Sequence, residues 1–296
     1  MHTTLSDDNP FEKDRYGFAW AHIPKAGDAH LDFGCNNGQF LETLNKTTNI
    51  KLLSGLDIDR KCIQAAQTTY PDFDIHHLKN TIPIPYQDNT FDSITVMEVL
   101  EHVYEQEALI DEFYRILKPN GKLIISVPGK HLFSFLDRGN IQFTFPRIFR
   151  WYYLRTHSLE EYHYNYVDNP DGLIGCVSAK KMWHEHFTHK KIKRLIGRTK
   201  MGSPIFDGSG YFREPIDLID KLTGRLNIFA KFVEWLKRLD RDLFSSYNVF
   251  CVTSKPSKPL DSKLRMHQIN DAMAELSNQS NIDQTEKERL LNHSID

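Results

Sequence analysis

Two groups of residues in this 296-residue chain have the types and spacing for chemistry. The first lies in residues 30–38, HLDFGCNNG, where an apolar run passes through Asp32 to Gly34 and Gly38 and then into FLETLNK, which has a helical pattern. Glycines at such a turn let the backbone approach a ligand, and free N–H groups at the helix start favour polar or anionic atoms. Asp57 closes the next apolar run, LLSGLDI, about twenty residues on, where an open α/β sheet sets an acid against ribose hydroxyls. The pair points to a nucleoside-containing ligand.

The second group is Glu98, Glu101 and His102 in MEVLEHV, at positions i, i+3 and i+4. If the chain is helical here, all three share a face. Two carboxylates and an imidazole suit Mg²⁺ or Mn²⁺ with positions left for substrate oxygens. A histidine within hydrogen-bond reach of an acceptor proton can also act as a metal-free general base, and the same face can be merely solvated.

These residues need elements to hold them. The pattern predicts a leading helix over 11–23, a strand at 30–33, a helix at 38–46, a strand at 51–58, a helix at 59–69 and a short strand in FDIHHL. NTIPIPYQDNT reads as a loop, FDSITVM as a buried strand, EQEALIDEFYRIL as an amphipathic helix closed by Lys118-Pro119-Asn120-Gly121, and KLIISVP as the next strand. Strands alternating with helices across short turns predict an α/β fold with a mostly parallel sheet covered on both faces. After residue 128 the alternation stops in an aromatic and basic stretch, then resumes with the helical THKKIKRLIG and a final strand in YNVFCVTSK. The chain divides into an N-terminal segment (1–28), a core (29–128), a cap insertion (129–182), the remainder of the core with an amphipathic helix (183–254) and a polar tail (255–296).

Composition narrows the partners. A net charge of -2 gives no global attraction to nucleic acid, and 40% hydrophobic with 26% charged residues is ordinary for a globular protein. Cys35, Cys62, Cys176 and Cys251 lack CxxC spacing, so neither a disulfide framework nor a zinc knuckle is indicated and a reducing cytoplasm is expected. No run reaches the roughly 18 apolar residues of a membrane span, and the start of the chain lacks a signal-peptide core.

The order LDFGCNNG, GLDID, IPYQDNTFDSITVMEVLEHV and LKPNGKLIISVP resembles the class I S-adenosylmethionine-dependent methyltransferases, over residues 28–128 and more weakly 183–253. One departure is Asn36, where that family usually has glycine. Dinucleotide enzymes are disfavoured because G-x-G-x-x-G is absent. The resemblance implies a doubly wound, seven-stranded, Rossmann-like sheet with the aromatic cap after the fifth strand. It assigns Asp32, Gly34, Cys35 and Gly38 to the methionine end of S-adenosyl-L-methionine, Asp57 to its ribose, and Ile58, Asn80 and Thr81 to adenine. Met97 falls where a backbone carbonyl meets the cofactor's amino group. The E-x-x-E-H pattern is similar to one in ubiquinone-biosynthesis O-methyltransferases and small-RNA 2′-O-methyltransferases. The latter add a downstream histidine, for which HEHFT offers His184 and His186.

Elsewhere, Asp137, Arg138, Arg147, Arg150 and Arg155 interleave with Phe145, Phe149, Trp151, Tyr152 and Tyr153, and form either a lid over an acceptor or a small core of the insertion itself. KKIKRLIGRTK reads as a solvated basic helix face. The stripe Leu226, Phe229, Phe232, Val233, Leu236, Leu239 and Leu243 suits internal packing, a homodimer contact or a peripheral membrane surface. The expected activity is methylation of a hydroxyl on a glycan, sugar or small phenolic molecule. RNA 2′-O-methylation and a non-catalytic cofactor-binding role are the alternatives.

Overall fold

The computed structural model describes residues 10, 15–130, 145–168, 185–210, 212, 216, 232–233, 235–237, 239–240 and 247–257. The expected tail (255–296) therefore lies outside the described residues from 258 on, as do Asp137, Arg138, His184, Cys176, and Leu226, Phe229 and Leu243 of the stripe.

Strands and helices alternate as α1 (Arg15–His22), β1 (Ala26–Phe33), α2 (Gln39–Thr47), β2 (Asn49–Asp57), α3 (Arg60–Thr69), β3 (Asp74–His77) and β4 (Phe91–Met97). They continue through a 3₁₀ turn (Leu100–His102), α4 (Gln106–Ile116), β5 (Leu117–Pro128), α5 (Pro146–Tyr153), α6 (Leu159–His163), a π turn (Tyr164–Asp168), α7 (His189–Gly197), β6 (Ile205–Ser209) and β7 (Asn248–Ser254). The described strands form one seven-stranded sheet in the order β3-β2-β1-β4-β5-β7-β6. β1 to β5 run parallel, while β7 is antiparallel to both β5 and β6. The expected doubly wound, mostly parallel fold is what forms.

Burial on both faces follows from the period-2 alternation of each strand. Leu31 and Phe33 of β1 join a core with Phe113 and Ile110 of α4 and Ile192 and Ile196 of α7. Leu53, Ile124 and Phe250 face the other way, against Phe18 and Trp20 of α1, Leu41 and Leu44 of α2, and Ile63 of α3. Each fully buried side chain of this size stabilises the fold by about 1.5–3 kcal/mol. The helices start where the sequence supplies caps: Asp59 accepts from the N–H groups of Lys61 and Cys62 at α3, and Thr188 accepts from Lys191 at α7.

Two expectations change. Lys118-Pro119-Asn120-Gly121 does more than close α4, because β5 already begins at Leu117 and the four residues form an irregularity in its pairing with β4. The N–H of Asn120 donates to the carbonyl of Lys255 (2.7 Å) and the N–H of Lys255 returns to Gly121 (2.9 Å), so a distant segment supplies the partners. The second concerns the apolar stripe: Val233 is buried, but Phe232 and Leu239 are exposed, so its described residues do not share one buried face. No helix among the described residues is long and apolar enough to cross a membrane.

Candidate active site

The strand order reverses between β1 and β4, and ligands of open α/β sheets bind at the carboxyl ends of the strands at such a point. The sequence-derived donor residues gather there. Gly34, Cys35 and Gly38 form the turn after β1, Asp57 ends β2, and Met97 ends β4.

The turn is built by backbone geometry. Gly34 and Gly38 have φ of 90° and 80°, left-handed values that a side chain disfavours. A Cβ on Gly34 would overlap Val99 Cγ2, so the turn and the segment after β4 approach one another only because Gly34 has no side chain. Both Gly34 and Cys35 donate their N–H groups to the carbonyl of Leu56 at the end of β2, at 2.7 and 3.1 Å. Cys35 itself is buried, with its thiol pushed far up by burial and the nearby acids, so it serves packing rather than nucleophilic chemistry.

Asn36 takes φ of 49°, the left-handed conformation that asparagine tolerates better than most residues. Its N–H donates to Asp57 Oδ2 (2.8 Å), while the N–H of Asp59 donates to Oδ1 (2.9 Å). The glycine-to-asparagine departure therefore leaves the turn intact and ties it to the acid. Asp57 is held from two sides and only half-buried, which leaves acceptor capacity on both oxygens. Ile58 beside it is half-buried, and its carbonyl meets His77 Nε2 at 3.0 Å. Asn80 is exposed and Thr81 half-buried, in the loop after β3.

Asp32 is buried one strand away. Thr95 Oγ1 on β4 donates to Asp32 Oδ1 (2.7 Å), and burial still pushes the carboxyl up to about 7, with the negative Asp57 adding to the shift. Thr95 also contacts His30 Nε2 (3.2 Å), and His30 Nδ1 contacts Ser93 Oγ (2.8 Å). Burial holds His30 down at about 3, a neutral imidazole. Thr95, His30 and Ser93 belong to no motif that spacing along the chain reveals. The available signal was the polar alternation H-x-D and S-x-T in two strands otherwise apolar on both faces.

The acceptor side differs from expectation. Glu98, Glu101 and His102 do not share a helix face, because Glu98 precedes the 3₁₀ turn with φ of 55° and its Oε1 accepts from Ser126 Oγ on β5 (2.8 Å). Glu101 turns inward and is fully buried, while His102 keeps 29% exposure, with 3.9 Å between His102 Nε2 and Glu101 Oε1. Among the described residues no three His, Cys, Asp or Glu side chains are grouped to hold a metal ion, so these three do not fit Mg²⁺ or Mn²⁺ in this arrangement.

His186 arrives at the same rim from another segment. Phe187 beside it is fully buried and pairs with the end of β5, its N–H donating to Pro128 and its carbonyl accepting from Lys130 (2.8 Å each). Glu185 on the other side accepts from Gln106 Nε2 at the start of α4 (2.7 Å) and binds Lys191 of α7. Residues 185–187 are thereby moored between β5, α4 and α7, with His186 half-buried.

The described part of the insertion packs on itself: Tyr153 stacks on His157 (4.1 Å between centroids) and meets Tyr166 (5.0 Å), which also meets Phe149 (4.9 Å). Arg155 lies over Trp151 (3.8 Å) and Arg150 near Tyr162 (5.6 Å), so these guanidiniums use their faces on aromatic rings. Tyr164 reaches the first turn of α3, its ring 5.2 Å from Lys61 Nζ.

Residues 31–125 match the family model described as a methyltransferase domain. A ubiquinone biosynthesis O-methyltransferase of Chromobacterium violaceum is 27% identical over 143 residues, covering 45% of this chain and 56% of that one. A demethylmenaquinone methyltransferase of Oceanobacillus iheyensis is 28% identical over 105 residues, covering 34% and 44%. The chain thus spans about half the length of the curated relatives it matches. The solved S-adenosylmethionine-dependent methyltransferase from Mesorhizobium loti shares the fold, with a TM-score of 0.50 at 15% identity over 82% of this chain and 98% of that one. The matched stretch runs from the end of β1 through most of β5, with both acids and both glycines, and over those residues the chain is similar to the methyltransferase domain.

Proposed function

We propose that the protein moves the methyl group of S-adenosylmethionine to a hydroxyl oxygen of a small phenolic or sugar acceptor. The observation that carries this reading is Asp57, held by the N–H groups of Asn36 and Asp59 at the carboxyl end of β2 with acceptor capacity left for two adjacent hydroxyls. Oxygen is favoured as the acceptor atom by the E-x-x-E-H pattern and by the relatives named as ubiquinone biosynthesis O-methyltransferases.

When bound, the cofactor supplies a methyl already made electrophilic by its sulfonium, so the protein's work is alignment and proton removal. Asp57 binds the ribose hydroxyls, Asp32 faces the methionine end, and the Gly34–Gly38 turn lets the backbone lie close. His102, directly after β4, accepts the acceptor's proton, with His186 on the facing segment as the second candidate. The cap segment 145–168 closes the acceptor side, supported by the contact of Tyr164 with Lys61 near Asp57.

The test is a panel of phenolic and sugar hydroxyls incubated with labelled methyl donor, with and without chelator. Label transferred only to nitrogen or carbon acceptors would overturn the oxygen assignment.

A second reading, metal assistance, rests on the E-x-x-E-H pattern alone, since Glu98 is engaged by Ser126 and Glu101 faces the interior. Adding Mg²⁺ or Mn²⁺ back after chelation decides it.

A further inference from the structure

We propose that His30 is a positioning residue for the cofactor, acting through Thr95 to orient the Asp32 carboxylate, with the tautomer of its ring following the charge of Asp32. This rests on the donor-site reading above. Ser93, His30, Thr95 and Asp32 form an unbroken buried chain across β1 and β4, with contacts of 2.8, 3.2 and 2.7 Å.

Hydrogen counting fixes its direction. An ionised carboxylate only accepts, so Thr95 must donate to Asp32. Thr95 has one hydrogen, so the remaining contact requires His30 Nε2–H to donate to Thr95 Oγ1. A neutral imidazole has one N–H, so His30 Nδ1 then accepts from Ser93. If Asp32 is protonated on Oδ1, every bond can reverse: the carboxyl donates to Thr95, Thr95 to Nε2, and Nδ1–H to Ser93. The chain therefore has two complete arrangements. No proton enters or leaves His30 in total, since one ring nitrogen gains what the other gives up.

The surroundings favour this reading. His30 is met by the Phe40 ring from α2 (6.4 Å) and by Ser93 and Thr95 from β4, none of them ionic. Asp32 is met by Thr95, by the negative Asp57 and by the Cys35 thiol. With no cation among these groups, the ammonium at the methionine end of the donor is what stabilises Asp32 as an anion, and His30 registers that change.

The experiment is nitrogen-15 NMR of histidine-labelled protein, with His30 resonances identified by their loss in His30→Gln, alongside calorimetry with S-adenosylmethionine. Saturated with cofactor at pH 8, His30 should be the Nε2–H tautomer; cofactor-free protein well below pH 7 should show Nδ1–H. His30→Leu should weaken cofactor binding about tenfold, the loss of an arrangement that aims a hydrogen bond at a charged group, and His30→Gln, which keeps a donor and an acceptor, should restore most of it. A His30 ring that keeps one tautomer in both states, in a protein that binds cofactor, overturns this inference alone. Wild-type protein that binds no S-adenosylmethionine overturns the donor-site reading and this inference with it. If His30→Leu does not fold, the tautomer measurement on the wild type still decides.

Discussion

Val99, two residues past β4, fills the space that a side chain on Gly34 would need. The loops after β1 and β4 are thus fitted to each other at the point where the strand order reverses. Gly34→Ala meets both this overlap and a φ of 90°, and should cost about 2 kcal/mol or more. Thermal melting should show the loss, and calorimetry a weaker affinity for S-adenosylmethionine. Adding Val99→Ala removes the overlap but not the backbone strain, so it should restore only part of the stability.

Asp57 and Asn36 separate the roles of side chain and backbone in the same turn. Asp57→Ala should weaken cofactor binding by at least about tenfold, since hydrogen bonds to a charged group are lost and the N–H groups of Asn36 and Asp59 lose their acceptor. Asn36→Gly keeps the N–H and the left-handed backbone, so its affinity should stay near wild type. An unchanged affinity in Asp57→Ala would show that the ribose acid has been misassigned.

Asp32 gives cofactor binding a pH dependence. Its carboxyl sits at about 7 in the folded protein, and a cationic ligand beside it favours the ionised form. Binding below pH 7 must then release a proton, so affinity should fall with falling pH, by at most about tenfold per unit for one proton. Calorimetry in buffers of different ionisation enthalpy reads the released proton directly, and Asp32→Asn should flatten the profile.

Stability should respond to the same two buried groups with opposite signs. Asp32 holds its proton in the folded state from its ordinary 3.8 up to about 7, so its contribution declines as pH rises through that window. His30 is neutral when folded down to about 3 but charges at 6.5 when unfolded, so its contribution declines as pH falls below 6.5. Between 3.8 and 6.5 the two slopes oppose. Relative to wild type, Asp32→Asn should gain stability as pH rises through this range and His30→Gln should lose it, as read from melting curves.

On the acceptor side, His102→Ala should lower kcat about a hundredfold if that ring takes the acceptor's proton, and activity should survive chelation. A larger loss in His186→Ala would transfer the role to the HEHF segment. Activity abolished by chelator and restored by Mg²⁺ would return the reaction to metal assistance.

Much of this was legible in the residues themselves. Strands such as FDSITVM and helices such as Gln106–Ile116 declare their period locally, and Asp32, Gly34 and Asp57 could be placed because each sits at or just past a strand end, with Gly38 at the start of the following helix. The E-x-x-E-H face was not legible, because the spacing assumes a helix and the left-handed backbone at Glu98 redirects the first carboxylate to Ser126. Nor was the Ser93–His30–Thr95–Asp32 chain, whose members alternate visibly but whose pairing depends on β1 and β4 being neighbours. Pro119 and Gly121 announce a turn, yet the partners that hold them in β5 come from Lys255.

That last contact bears on how the chain is made. β5 is complete at Pro128, but the strand that covers its outer edge does not begin until Asn248. During synthesis an apolar strand with unpaired backbone groups must therefore wait for a long intervening stretch, a state prone to pairing with another chain. Lys255 then closes it, its Nζ reaching the Leu117 carbonyl and Asn89 Oδ1 at 2.7 Å each. A chain stopped at Pro128 holds every donor-site residue of the matched domain and should still aggregate, because the cofactor half of the molecule is finished by β7, a strand made more than a hundred residues later.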